Sequence, residues 1–215
     1  DIFEEEIISI ISKGKEKVYD LTEPRTLSFI TNGFLSLDCG EQPLLPNEPC
    51  NLGSINLSKF VKQDNSDMDY DKLGECVFSA VHFLDNVIDV NNYPLPAIEK
   101  MAKSTRRIGL GVMGWAETLV KLKIPYDSEK ALNKAEELMG FINDMALKAS
   151  EELAKERNVF PEWKNSIYDE QSQYFKGLKS KPRHSARTTI APTGTIGITA
   201  GLQGAGIEPF FAIVY

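Results

Sequence analysis

The sequence predicts an α/β fold, on three observations. Apolar residues recur at helical spacing through two long segments, the stretch from Thr188 onward is strand-like, and glycine and proline punctuate the connections. Helices followed by strand-like segments suit an α/β unit better than an all-α one. A chain of 215 residues is long enough to bury a sizeable core.

The elements follow in order. Residues 5–38 read as short strands and turns: Glu5–Ile11 leads to the turn signal Ser12-Lys13-Gly14-Lys15, and Val18–Thr22 to a turn at Pro24. Ser28–Thr31 then runs into Asn32-Gly33, the strongest short hairpin signal, and Phe34–Leu37 closes the stretch. Residues 39–66 are extended and turn-rich, with Pro43, Pro46 and Pro49. A first helix carries Leu73, Val77, Ala80, Leu84, Val87 and Ile88 on one face and ends at Asn91-Asn92-Tyr93-Pro94. A second is expected over about Leu110 to Leu122. A third starts near Asp127 as N-cap, with Leu132, Ala135, Leu138, Ile142, Met145, Ala149 and Leu153 toward the core. The strand-like tail is interrupted by the glycine-rich region Pro192–Gly206. There is no internal repeat.

Composition narrows the function. A net charge of −7 argues against a general nucleic-acid or anionic-membrane binder, so neither a nucleic acid nor a membrane is expected as partner. No apolar run is long enough to cross a bilayer, and no signal peptide opens the chain. Three cysteines, Cys39, Cys50 and Cys76, are too few and too odd in number for a secreted disulfide scaffold, which points to the cytoplasm. His82 and His184 stand apart, and no Cys–His spacing suggests a metal site. The first residue, Asp1, and the apolar end Pro209–Tyr215 lead us to expect a piece of a longer protein.

Three constellations offer chemistry. In Cys39-Gly40-Glu41 a thiol and a carboxyl group two residues apart share one face of an extended chain, where they can abstract an atom and move a proton. Small residues and hydroxyls in Pro192-Thr193-Gly194-Thr195-Ile196 can offer N–H and O–H donors to a phosphate, although no Walker lysine follows. Gly109-Leu110-Gly111-Val112-Met113-Gly114 matches a dinucleotide pattern, but it follows the charged Lys103–Arg107, so close packing or a backbone turn is the better account. Cys76, beside Leu73 and Val77, reads as core. The run Lys176, Lys179, Lys181, Arg183 and Arg187 reads as a solvated loop.

The wording around these residues goes further. The stretch Cys39–Leu57, the block Arg106–Ala116, and the block Thr189–Ile196 followed by Gly206-Ile207-Glu208-Pro209 closely resemble class II (adenosylcobalamin-dependent) ribonucleotide reductases, in the family's order. The resemblance covers residues 39–215 and implies part of the family's ten-stranded α/β catalytic barrel. It implies that Cys39 becomes a thiyl radical and removes the ribose 3′ hydrogen, with Gly40 beside the substrate. Glu41 would handle the 3′-hydroxyl proton. Cys50 would be one of two cysteines that reduce the 2′ carbon, its partner lying upstream. Pro192, Thr193, Gly194, Thr195 and Ile196 would hold the substrate phosphates. Implied too are adenosylcobalamin as cofactor, a ribonucleoside di- or triphosphate substrate, a dithiol reductant such as thioredoxin, and a homodimer in the full-length enzyme. A class I reductase and a non-catalytic nucleotide-binding remnant stay open as alternatives.

In that family Asn-Pro precedes the radical cysteine, whereas Leu37-Asp38 stands here. A second resemblance accounts for the difference. Lys17–Pro24 and Phe29–Gly33 resemble the C-terminal splicing blocks of an intein, which makes residues 1–38 the short all-β tail of an intein and Cys39 the first residue after it. Asp38 and Cys39 would be the splicing residues. Inteins usually end in His-Asn, so Leu37 and Asp38 depart from the pattern. A self-splicing module is therefore a third alternative for what the chain does.

Overall fold

A computed structural model describes residues 28–31, 34–37, 42, 44–164, 166–204 and 206–210. Strands β1 (Ser28–Thr31) and β2 (Phe34–Leu37) pair antiparallel, with Thr31 opposite Phe34. A two-residue connection remains, where Asn32-Gly33 predicts a tight turn.

The main body is built on a parallel pair. Strand β3 (Leu52–Asn56) runs beside β4 (Gly109–Met113), from Leu52 opposite Gly109 to Asn56 opposite Met113. Residues 186–190 add a third parallel line on the far side of β4: Ile108 N–H donates to Ala186 O, Leu110 N–H to Arg187 O and Thr189 N–H to Leu110 O. Parallel neighbours need long crossovers. The first is α1 (Tyr70–Val90) with α2 (Pro96–Thr105). The second is α3 (Trp115–Lys121) with α4 (Glu129–Arg157).

Helix α1 starts where the Asp69 side chain accepts the Lys72 N–H, and α4 where Ser128 accepts the Ala131 N–H. The cap of α4 is thus one residue past the expected Asp127. Leu73, Val77, Val81, Leu84 and Ile88 of α1 pack with Leu138, Ile142, Ala146, Ala149 and Leu153 of α4 and with Ile55, Leu110 and Val112 of the sheet. Cys76 is half-buried against this core, as its spacing suggests. Leu132 is exposed instead, because Ala131 takes the core position at the first turn of α4.

Two expectations are corrected here. The segment expected as one helix over 110–122 is strand β4 to Met113, and only then helix α3. An apolar run of this length does not separate strand from helix. Helix α2 was not anticipated. Pro96 looks like a breaker but occupies the first turn, where its missing N–H costs nothing.

The expected solvated loop also divides. Lys176, Lys179 and Lys181 are exposed, but Arg187 is buried and Arg183 largely so. Arg183 and His184 both turn inward to Asp85, which is fully buried. Asp85 Oδ1 accepts from Arg106 Nε (3.0 Å) and Nη2 (2.6 Å), from Arg183 Nε (3.2 Å), and pairs with His184 Nε2 (3.0 Å). Its Oδ2 accepts from Arg157 Nη1 at 2.8 Å, while Asp89 takes the rest of the Arg106 fork. His184 Nδ1 lies 2.8 Å from Ser150 Oγ. His184 is therefore the buried partner of a carboxylate, not the isolated residue that sequence suggests. Burial pushes the Asp85 carboxyl up, but the hydrogen bonds from His184 and Arg106 outweigh it and hold it well below its ordinary range. Burial lowers His184 below its ordinary value of 6.5; Asp85 opposes this, and Arg106 and Arg183 add to it.

A pH dependence follows. The unfolded histidine takes a proton near 6.5, and the folded one resists it. Stability is then full above pH 6.5 and falls as pH drops through the lowered pKa, with a further loss from Asp85 below its ordinary 3.8. Urea midpoints measured from pH 8 to pH 5 should decline on the acid side. His184→Gln should flatten that decline; an unchanged slope would refute the assignment.

Candidate functional site

Strand alternation sorts the ladder into two faces. Ile55, Leu110 and Val112 belong to the helix-packed core, and a side chain at Gly53 would meet Leu84 of α1. The other face carries Leu52, Ser54 and Asn56 of β3 in register with Gly109, Gly111 and Met113 of β4. It is poor in bulk. A Cβ at Gly111 would fall on the Thr189 carbonyl oxygen, and one at Gly109 would lie within 2.7 Å of atoms of Leu52, Gln42 and Thr189. These glycines let the third line close against β4, so the glycine pattern is a packing device, as its charged upstream context suggests. Ser54 Oγ is buried on this face with no hydrogen-bond partner among the described residues.

Cys39, Gly40 and Glu41 lie outside the described residues, as does Asp38. The chain that follows them is tied down firmly. Gln42 is buried and its Nε2 donates to Ile108 O at 3.2 Å. The Glu48 carboxylate is buried; it accepts the Leu45 N–H at 3.0 Å and lies 3.0 Å from Arg107 Nε. Sequence reading missed Gln42 and Glu48, since neither residue type announces burial.

Cys50 is exposed and precedes β3, at the end where the parallel lines begin. The Pro192–Ile196 turn lies where they stop. Five residues of strand separate the two levels, roughly 17 Å along the ladder. The structure therefore places Cys50 and the turn on one ladder but at opposite ends of it.

The turn itself is specific. Thr193 has left-handed backbone (φ 55°), costly for a β-branched residue, and opens the short helix α5 (Gly194–Thr199) inside the expected strand-like tail. Gly197 N–H donates to Thr193 O at 2.7 Å. The N–H groups of residues 194–196 are those a helix start leaves without intrahelical acceptors. Thr193 is 7% exposed, and its hydroxyl has no hydrogen-bond partner among the described residues. Buried polar groups are rarely left so, which marks this hydroxyl as awaiting an acceptor. The arrangement suits an anion.

The chain then folds back over the turn. Gly206 is buried, and a side chain there would come within about 3.2 Å of Thr193 Oγ1 and Glu208 Oε2. Glu208 Oε2 accepts the Gly206 N–H at 2.8 Å, and Trp115 N–H donates to Gly206 O at 3.2 Å. Tyr126 Oη donates to Ile207 O at 2.7 Å. The blocks around residues 106–116, 189–196 and 206–209, far apart in sequence, thus meet at one end of the ladder.

Comparison with known proteins agrees with this geometry. The profile "Ribonucleotide reductase, barrel domain" matches residues 35–215. The chain is 54% identical over 177 residues to the vitamin B12-dependent ribonucleoside-diphosphate reductase of Thermoplasma acidophilum, covering 82% of this chain and 22% of that protein. It is 49% identical over 178 residues to the protein of that name from Mycobacterium tuberculosis, covering 82% of this chain and 24% of that protein. Among solved structures, the class Id ribonucleotide reductase alpha subunit of Actinobacillus ureae matches with a TM-score of 0.60 and 27% identity, over 77% of this chain and 29% of that chain. The chain spans about a quarter of the length of these curated relatives.

The ladder yields a test. Gly111→Ala should cost roughly 1–3 kcal/mol by overpacking against Thr189, read from urea midpoints. Gly140→Ala, in the middle of α4 with nothing within 4 Å of the added methyl, should be neutral or stabilising. Equal effects at the two sites would contradict the packing account.

Proposed function

The chain belongs to the ribonucleotide reductase barrel-domain family, and on that premise we propose that it is the substrate-holding part of an adenosylcobalamin-dependent ribonucleoside-diphosphate reductase. One observation carries the choice of class. Identity to the two B12-dependent reductases is 54% and 49%, against 39% to the reductase subunit alpha of Chlamydia pneumoniae.

In this reading the substrate lies along the glycine-bearing face of the ladder. Its phosphates take the N–H groups of residues 194–196 and the unpartnered Thr193 hydroxyl. Cys39, as a thiyl radical, removes the 3′ hydrogen and returns it once the 2′ carbon is reduced, Glu41 takes the 3′-hydroxyl proton and gives it back, and Gly40 leaves room beside the ribose. Cys50 and a cysteine elsewhere in the longer protein supply two electrons; the 2′-hydroxyl leaves as water, hydrogen replaces it, and the pair becomes a disulfide. A dithiol such as thioredoxin restores the pair. The tie of Gln42 to Ile108 supports a fixed position for the chain leading away from Glu41.

The described residues do not fit the cofactor by themselves. Two cavities among the described residues touch the ladder, of about 400 and 300 Å³. Pockets for drug-sized ligands run about 300–1,000 Å³, and a corrin is larger than such a ligand. The assignment of adenosylcobalamin rests on the relatives, which are vitamin B12-dependent reductases. The homodimer likewise remains part of this proposal.

Residues 1–38 we assign to an intein tail, with Asp38 and Cys39 at the junction and the reductase part at 39–215. The resemblance of Lys17–Pro24 and Phe29–Gly33 to splicing blocks carries this reading; the family match, from residue 35, leaves residues 1–34 outside it. Mass spectrometry of the complete precursor tests it: a ligated product lacking residues 1–38 is expected, and its absence would rule out active splicing. For the reductase, Cys39→Ala in the spliced full-length enzyme should abolish turnover while nucleotide binding persists. Retained turnover would refute the radical assignment.

A further inference from the structure

Helix α3 stands with its first turn against the glycine-rich loop 201–207. The helix is rigidly seated: Trp115, Ala116, Thr118 and Leu119 are buried, and Thr118 Oγ1 donates back to Gly114 O at 2.8 Å. From it Glu117 reaches the loop. Its Oε1 accepts two successive backbone N–H groups, Gln203 and Gly204, each at 2.8 Å. Its Oε2 is buried with no hydrogen-bond partner among the described residues. Among those residues Glu117 forms no salt bridge, so its bonds to the loop amides are what hold the carboxylate. Hydrogen bonds to an ionised acceptor are about twice as strong as neutral ones.

The loop touches the Thr193 turn. Leu202 lies over Gly114, where a Cβ would meet it at 2.9 Å, and Gly206 lies against Thr193 and Ala191. Helix α3 therefore grips the loop at three residues: Glu117 at Gln203 and Gly204, and Trp115 N–H at Gly206. Thr193 keeps its left-handed backbone with that loop packed over it. Strained backbone persists only where its surroundings over-determine it.

We propose that Glu117 is a positioning residue for substrate binding: its carboxylate pins the 203–204 amides, the pinned loop holds Thr193, and Thr193 presents the anion-binding turn. The assignment rests on reading Pro192–Ile196 as the phosphate turn. It acts on binding and not on the reacting atoms, since among the described residues the Glu117 carboxylate hydrogen-bonds only to the loop. Gln at this position keeps an accepting oxygen for the two amides; Ala keeps none.

The test uses the full-length enzyme. Glu117→Ala should raise KM for a ribonucleoside diphosphate by about tenfold or more and leave kcat within about threefold, the pattern of lost uniform binding. Glu117→Gln should stay close to the parent. In the alanine variant, amide hydrogen exchange should quicken at residues 203–204 and also at 193–197. An unchanged KM with a lowered melting temperature would make Glu117 merely structural and overturn the proposal. So would a Gln variant as impaired as Ala, or unchanged exchange at 193–197. Failure of the functional reading looks different: the unsubstituted enzyme would neither bind nor reduce the nucleotide, and the exchange result would still decide whether Glu117 holds the turn.

Discussion

Asp85 is the interaction on which this structure depends. One carboxylate toward the C-terminal end of the buried face of α1 gathers Arg106 from the end of α2, Arg157 from the end of α4, and Arg183 and His184 from the segment leading to the third parallel line. A buried charge is expensive unless every lone pair is used. Here both oxygens are taken, and the charge is exchanged for geometry. Two crossovers and the third line of the ladder are fixed at one point, and removing the carboxylate would strand several cations in the core.

The surplus of cations around Asp85 shapes its histidine. Arg106, Arg157 and Arg183 face Asp85, with Asp89 as second anion, so a proton on His184 would add positive charge to a group already balanced or beyond. A neutral ring uses both its nitrogens. Nε2–H donates to Asp85, and Nδ1 accepts from Ser150, whose oxygen also receives the His184 backbone N–H at 3.2 Å. The cluster resembles a hydrolytic triad in composition only, because Ser150, His184 and Asp85 are all sealed from solvent.

From that anchor the chain runs along β4 to the candidate site. Gly109 and Gly111 make the contact possible by having no side chains, since Thr189, Leu52 and Gln42 occupy the space where their Cβ atoms would stand. At the far end, α3, the 201–207 loop and the Thr193 turn lock together, so the strained threonine is supported from a rigid helix and not from the loop alone.

Much of this was legible in the sequence. The periodicity of Leu73 to Ile88 and of Leu138 to Leu153 located the two long helices, because burial of one helix face leaves a 3.6-residue mark. Asn32-Gly33 located the hairpin, and the wording of three blocks pointed to the family. The tertiary structure alone decided the rest. Gly109–Met113 is a strand and not a helix, because backbone on both sides offers it partners that no local signal records. Arg183 and Arg187 left an apparently solvated run because a carboxylate about a hundred residues earlier, or the Tyr168 hydroxyl, awaited them, and the same carboxylate drew in His184. Glu117 showed no sign of its role, since a carboxylate that accepts two distant amides looks in sequence like any glutamate in the first turn of a helix. Local pattern records which face of an element is buried. Which charges and backbone groups meet across that buried space is set only when the elements are brought together.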